Sequence, residues 1–347
     1  MPPAVPATRD RRPAPIVVYG ATGHTGRMVC AELSRRGLAF ALSGRDAQRL
    51  RELAASVGAG DVRPASVDHP PSLAAAFVGA SAVINCAGPF LDTADAVCRA
   101  ALDAGAHYLD LTAEQPAAAH CFESFADAAR ERGLSVLPAA AFYGGLADLL
   151  ATAAMGDWSC ADAIEIGIAL DSWHPTDGTR LTGRRNTARR LNVVDGRLAP
   201  LPDPAPRRDW AFGAPFGMES MIELPFSEII TIARHLPTTE VHTYLMTSAL
   251  NEIRDPDTPA PVVDAQTGHS PQRFRVEVHV RRDGAVRQAA AAGRDIYFVS
   301  APIVVEAAAR VAADPGRDGG AFALGERFDA TDFLRAIAGP DLLVELG

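Results

Sequence analysis

A doubly wound parallel α/β domain interrupted by an inserted α+β domain is the fold class that this sequence predicts, and three observations carry it. Strand-like runs alternate with helical patterns from residue 16 to about residue 155. Three glycines sit at the first strand-to-helix turn, Gly20, Gly23 and Gly26. Beyond Trp158 the pattern changes to strands of period two joined by Asp-Gly turns, which belongs to antiparallel pairing.

The first unit is Ile16 to Arg45. Four apolar or β-branched residues, Ile16 to Tyr19, meet the glycines, and Val29, Cys30 and Leu33 then keep helical spacing. Gly20 permits a sharp turn off the strand, Gly23 leaves room for a pyrophosphate against backbone N–H groups, and Gly26 lets the helix lie close on the sheet. With Thr22, His24 and Thr25 they form a loop at a helix N-terminus, where partial positive charge favours phosphate. The pattern therefore predicts dinucleotide binding.

A second strand, Leu38 to Leu42, leads to Ser43, Gly44 and Arg45. Proteins that bind NAD place an Asp or Glu about 20 residues past the glycines to accept from the ribose 2′-OH. The guanidinium of Arg45 offers a fork to a 2′-phosphate instead. A charge-assisted contact of roughly 1.5–3 kcal/mol favours NADP(H) by about ten- to a hundred-fold. Asp46 reads as the cap of the following helix.

Further strands are expected at Asp61 to Val67, Ala80 to Asn85, His107 to Leu111 and Leu134 to Pro138, each followed by a helical pattern. Ligands of such sheets bind beyond the carboxyl ends of the strands. Those ends offer Asp68, either an adenine-side contact or a helix cap. They also offer Asn85 to Pro89, where Asn85, Ala87, Gly88 and Pro89 can reach the nicotinamide ribose, and Asp110 with Thr112, either caps or substrate contacts. The last such end is the AAAFYGGLAD stretch, Ala139 to Asp148.

In the second unit, Ile164 to Leu170 and Phe274 to Val280 alternate, Asp283-Gly284 and Asp195-Gly196 mark hairpins, and Pro225 to Leu236 reads as a helix. The expected organisation is a disordered arm at residues 1–14, a Rossmann domain at 15–157, an inserted domain at 158–300, and helices at 301–347 that return to the first domain.

With 347 residues and a 48% apolar fraction the chain can bury two cores, and no 18-residue uninterrupted apolar run argues for a membrane span. The proline-rich start lacks the apolar core of a signal peptide, so a cytoplasmic protein is expected. Five cysteines without a CxxC pair argue for reduced thiols and no metal centre. A net charge of −9 argues against nucleic acid as partner. All 33 basic residues are arginines. Without lysine there is no Schiff-base nucleophile and no Tyr-x-x-x-Lys pair of the short-chain dehydrogenase kind.

Four stretches together, Gly20 to Gly26, Ser43-Gly44-Arg45, Val83 to Phe90 and Ala104 to Asp110, resemble the saccharopine dehydrogenase-like oxidoreductases, a group that includes trans-acting enoyl reductases. The resemblance covers residues 15 to 150. It implies a Rossmann domain with an inserted α/β domain, NADP(H) as cofactor, and a homodimer formed through the inserted sheet. One departure stands out: after the sixth strand the group has a Gly-Phe-Asp-Ser-like sequence, and here Ala141-Phe142-Tyr143-Gly144-Gly145 stands in its place.

Hydride transfer to a small-molecule substrate needs position and a proton donor. Tyr143 is the first candidate, and His174 and His235 follow. Arg184 and Asn186, in GTRLTGRRN, are candidates to grip a carboxylate or carbonyl. An NADPH-dependent imine (C=N) reductase is the leading expectation, with an enoyl or carbonyl reductase next. A non-catalytic NADP-binding sensor is the rival from another class.

Overall fold

A computed structural model describes residues 13–59, 61–314 and 318–347. Apart from residues 13 and 14, the expected arm at 1–14 lies outside the described residues.

The first domain runs β1 (Ile16–Tyr19), α1 (His24–Arg35), β2 (Phe40–Gly44), α2 (Ala47–Val57), β3 (Asp61–Pro64), α3 (Pro70–Phe77), β4 (Ala82–Asn85), α4 (Phe90–Asp103), β5 (His107–Asp110), α5 (Gln115–Arg132), β6 (Ser135–Leu137) and α6 (Gly145–Met155). The inserted domain follows with β7 (Ala161–Leu170), α7 (Asp177–Arg185), β8 (Leu191–Val194), β9 (Arg197–Pro200), β10 (Arg207–Ala211), β11 (Met218–Glu223), α8 (Glu228–His235), β12 (Thr238–Met246), α9 (Thr247–Arg254), β13 (Arg273–Arg282) and β14 (Ala285–Arg294). The chain then returns through α10 (Ile296–Ala313), β15 (Gly320–Ala321), α11 (Leu324–Arg327), α12 (Ala330–Ile337) and β16 (Leu342–Leu346).

Strands β3, β2, β1, β4, β5, β6 and β15 form one parallel sheet in that order. Ile16 of β1 sits between Phe40 on one side and Ala82 on the other, so the strand order reverses at β1. The crevice beyond that switch point is where a ligand belongs. All four β1 residues are buried, as a parallel strand covered on both faces requires. Val17, Tyr19, Val83 and Tyr108 point into the core beneath α3, α4 and α5. Val18, Ile84 and Leu109 point the other way, toward α1 and α10.

That second core continues through α6, whose eleven residues are mostly buried, to the inner face of the nine-stranded sheet, where Ile164, Ile166, Val276 and Val278 are buried. Both Asp-Gly hairpins form, with Asp195, Gly196, Asp283 and Gly284 all at positive φ. At such positions Asp and Gly carry the least penalty.

Two expectations need correction. The inserted sheet is mixed: β7 pairs β13 antiparallel but β12 in parallel, because α8 carries the chain back to the far end of the sheet. The terminal segment is not helical throughout, since β15 extends the first sheet and β16 pairs with β14 of the second. The outward face of the inserted sheet carries aromatic rings among its charged residues. Trp210 lies over Gly167, where a Cβ would stand 2.7 Å from the ring, and stacks on His279 at 4.8 Å. Helix α10 is long and apolar enough to cross a membrane by length and composition, although Glu306 and Arg310 interrupt its apolar run. In this fold more than half of it is buried, against α1, β4 and β5, and Glu306 pairs with Arg36 and Arg310.

Candidate functional site

A crevice of about 1070 Å³ opens at the carboxyl ends of β1, β2, β4, β5 and β6, and the inserted domain closes its other side. Its floor is the glycine loop. Gly20 has φ +79°, and a Cβ there would stand 2.8 Å from the Ala87 nitrogen. At Gly26 a Cβ would meet the Gly20 carbonyl at 2.3 Å, so only glycine lets α1 approach this closely. No side chain caps the α1 N-terminus at Gly23. The loop is tied from behind: Ser43 O accepts from the backbone nitrogens of Gly20 and Ala21, and Arg27 Nε donates to Thr22 O.

Of the residues expected to meet a cofactor, Gly20, Thr22, Gly23, His24, Thr25, Gly44, Arg45, Ala87 and Gly88 line the crevice. Arg45 is exposed and makes no hydrogen bond or ion pair with another described residue. Asp46 beside it caps α2 through the nitrogens of Gln48 and Arg49.

Ser43, Gly26, Asn85, Pro89 and Asp68 do not line it, and for each the fold supplies another use. Ser43 and Gly26 set the loop, as above. Asn85 is fully buried, and its Oδ1 accepts from Ala87 N at 3.0 Å while its Nδ2 donates to Thr93 and Tyr108. It shapes the loop from beneath. Pro89 is the N-cap residue of α4. Asp68 is exposed and exchanges hydrogen bonds with Ser66; His69, not Asp68, precedes α3, and no side chain caps that helix.

Beyond β5, Asp110 is fully buried and accepts from Tyr108 Oη, Thr112 N and Ala139 N at 2.8–3.0 Å. Burial raises its pKa to about 6 despite those donors. It therefore braces the turn after β6, which holds Ala139 at φ 58°, and caps no helix. That turn presents Tyr143. The Tyr143 ring stacks on Trp173 (5.6 Å between centroids, 29° between planes) and lies 4.2 Å from Phe226. Its hydroxyl is buried without a hydrogen-bond partner, and burial, followed by Tyr297 and Glu228, holds its pKa well above the usual tyrosine value. Tyr143 lines the crevice, and its neutral phenol holds a donor that no described group uses.

The wall from the inserted domain is α7 with its flanking loops. Arg184 and Asn186 line the crevice, and Asn186 Oδ1 is another buried atom without a partner. Arg180 donates to the Asp255 and Thr258 carbonyls, and Arg185 pairs with Asp92 at 2.7 Å, so both are already engaged. His174 is a correction: Trp173 lines the crevice in its place, and the His174 carbonyl accepts from Tyr297 Oη. His235 pairs with Asp148 at 2.7 Å, outside the crevice.

Among the lining residues that sequence reasoning missed are Glu114, Arg190, Arg254 and Tyr297. The Glu114 carboxylate accepts from Phe90 N and Leu91 N at the start of α4, and from Thr182 of α7. Burial raises its pKa, and those bonds oppose the shift. Tyr297, at the start of α10, bonds to Thr179 and Trp173 and packs edge-on against His24 at 5.2 Å. Together with Asp92–Arg185, these contacts fasten α7 over the glycine loop and Gly88. A sequence signal existed only for Glu114, which stands directly after strand five in DLTAEQP.

A parallel sheet reversed at its first strand, a glycine cradle at an uncapped helix start and a second domain clasped over it define a Rossmann-type dinucleotide-binding protein. Residues 16–137 match the saccharopine dehydrogenase NADP binding domain. It is 32% identical over 146 residues to a lipid droplet localized protein of Caenorhabditis elegans, covering 39% of this chain and 34% of that one. It is 25% identical over 158 residues to the saccharopine dehydrogenase-like oxidoreductase of Mus musculus (40% and 37% covered). A Mycobacterium tuberculosis protein labelled a trans-acting enoyl reductase is 28% identical over 148 residues (41% and 35% covered). The chain thus matches about a third of the length of these relatives. Saccharopine dehydrogenase (L-Glu forming) from Saccharomyces cerevisiae shares the fold across 96% of this chain and 99% of that one, with TM-score 0.68 and 11% identity.

Proposed function

We propose that this protein is an NADPH-dependent reductase that adds hydride to a polarised double bond of a small molecule, first a C=N bond. The observation that carries the reading is that Tyr143, whose buried hydroxyl lacks a partner, lines the same crevice as the glycine cradle.

The residues present fit the cofactor. The cradle that a Cβ would fill at Gly20 and Gly26 and the uncapped start of α1 suit a diphosphate, and Arg45 is free for a 2′-phosphate. Ala87 and Gly88 would border the nicotinamide. Bound there, NADPH supplies the hydride. This chain's part is to orient the acceptor, exclude water and deliver a proton. Clasping α7 to α4 and α10 covers one side of the crevice against water. Tyr143 Oη, kept neutral by burial, hydrogen-bonds the nitrogen of the acceptor and gives it the proton, while Arg184 and Asn186 hold the rest of the molecule. The same hydroxyl would serve the oxygen of an enoyl or carbonyl substrate. The mycobacterial relative's label favours the enoyl form as the second reading.

The outward face of the inserted sheet, with Leu343 60% and Val286 45% exposed, is our candidate surface for a homodimer. A cytoplasmic location remains part of this proposal.

The test is a panel of imine, enoyl and carbonyl substrates followed by NADPH oxidation, alongside a titration of NADPH fluorescence. Turnover on one class supports the reductase. NADPH binding without turnover on any class supports the sensor.

A further inference from the structure

Arg190 is an arginine in want of an anion. It lies between α7 and β8, partly buried on the crevice, with its guanidinium 4.9 Å from the Phe226 ring centroid. One of its nitrogens donates to the Pro225 carbonyl. A guanidinium has five N–H donors, and no carboxylate lies within salt-bridge distance of this one among the described residues. Instead its neighbour on the crevice is Arg254, another arginine without an ion pair. Burial and that like charge lower the Arg190 pKa, and Glu228 and Tyr143 oppose them from beyond contact distance. An oxyanion between the two would replace repulsion by charge-assisted, bidentate contacts.

Next to this cationic end the crevice is apolar. The Tyr143 ring lies at 29° to Trp173 and 32° to Phe226, which are at 57° to each other, and Leu250 and Ile253 continue the wall. Such a surface favours a flat apolar group.

We propose that Arg190 and Arg254 form the oxyanion end of the substrate site, and that the substrate is a flat, apolar molecule carrying a carboxylate or phosphate. The proposal rests on the reductase reading for the word substrate, although the binding it describes stands without turnover.

Calorimetric titration of the NADP⁺-loaded full chain with trans-cinnamate, phenyl phosphate and trans-cinnamamide tests it. The two acids are of similar shape to the amide but charged. One acid or the other should bind about ten- to a hundred-fold more tightly than the amide, and the stronger of them identifies the oxyanion. Arg190→Met and Arg254→Gln should each remove most of that preference and leave NADP⁺ affinity unchanged. Equal binding of acids and amide overturns the proposal. So does a preference that survives Arg254→Gln, whose side chain makes no hydrogen bond or ion pair with another described residue and which therefore decides the matter if Arg190→Met does not fold. Loss of NADP⁺ binding by the unaltered chain, with the acid preference intact, would count against the reductase reading and for the anion site.

Discussion

Replacing Tyr143 by phenylalanine should make the protein more stable and less active. The hydroxyl is buried, lacks a partner and crowns a ring held on three sides by Phe142, Trp173 and Phe226. Leaving a polar group dry and unpaired costs about 1–3 kcal/mol, and Phe keeps the ring contacts, so Tyr143→Phe should gain that amount in the ligand-free protein. For a chain of this size the gain is a rise of a few degrees in Tm. Loss of a general acid lowers turnover by about 10²–10⁴-fold. Thermal and urea unfolding of the ligand-free protein, with steady-state NADPH oxidation, would measure both. Affinity for NADPH should not change, since the hydroxyl is assigned to the substrate. A variant that is destabilised, or one that turns over at the unaltered rate, would refute the reasoning and leave Tyr143 a packed aromatic.

Two more predictions come from the frame of the site. Gly26→Ala would push a methyl to within 2.3 Å of the Gly20 carbonyl, and neither atom belongs to a flexible chain. The helix must shift, at a cost of about 1–3 kcal/mol, and fluorescence titration should show NADPH affinity down by about ten-fold or more. His107 is 7% exposed, accepts from Ser135 N at 2.9 Å, and burial lowers its pKa to about 4. The unfolded chain binds a proton near pH 6.5 and the folded one only near pH 4, so this residue's contribution is complete above pH 6.5 and is lost as pH falls toward 4. The loss is on the order of 3 kcal/mol. Urea unfolding at pH 7 and pH 4.5 should show a smaller difference for His107→Gln than for the unaltered chain; an equal difference would remove His107 from the account.

The first domain was legible because its signals are local. Gly20 at the end of a four-residue strand, Asp46 before a helix and the i, i+3, i+4 pattern of Ala94, Val97 and Cys98 each act within a turn or two of chain. Boundaries slipped where residues outside the pattern joined a ladder, as Ser43 and Gly44 did in β2. The parallel pairing of β7 with β12 was not legible, since alternation in Ile164 to Leu170 says nothing of which distant strand lies alongside. Nor was β15, two residues with no periodicity. In the site, Tyr143 could be found because two glycines follow it at a strand end. Arg190 and Arg254 could not, because only folding brings the chain after α7 beside the end of α9. His174 lies in the loop between β7 and α7, where the sequence carries no period, and its neighbour Trp173 lines the crevice instead.

The central claim is that Arg45 stands where the adenosine 2′-phosphate binds, and dissociation constants for NADPH and NADH, each with the unaltered protein and with Arg45→Ala, test it most directly. The account predicts NADPH held about ten- to a hundred-fold more tightly at first, with that advantage removed in the variant and NADH affinity unchanged. Equal affinities before the substitution, or an NADPH preference that outlives it, would contradict the account.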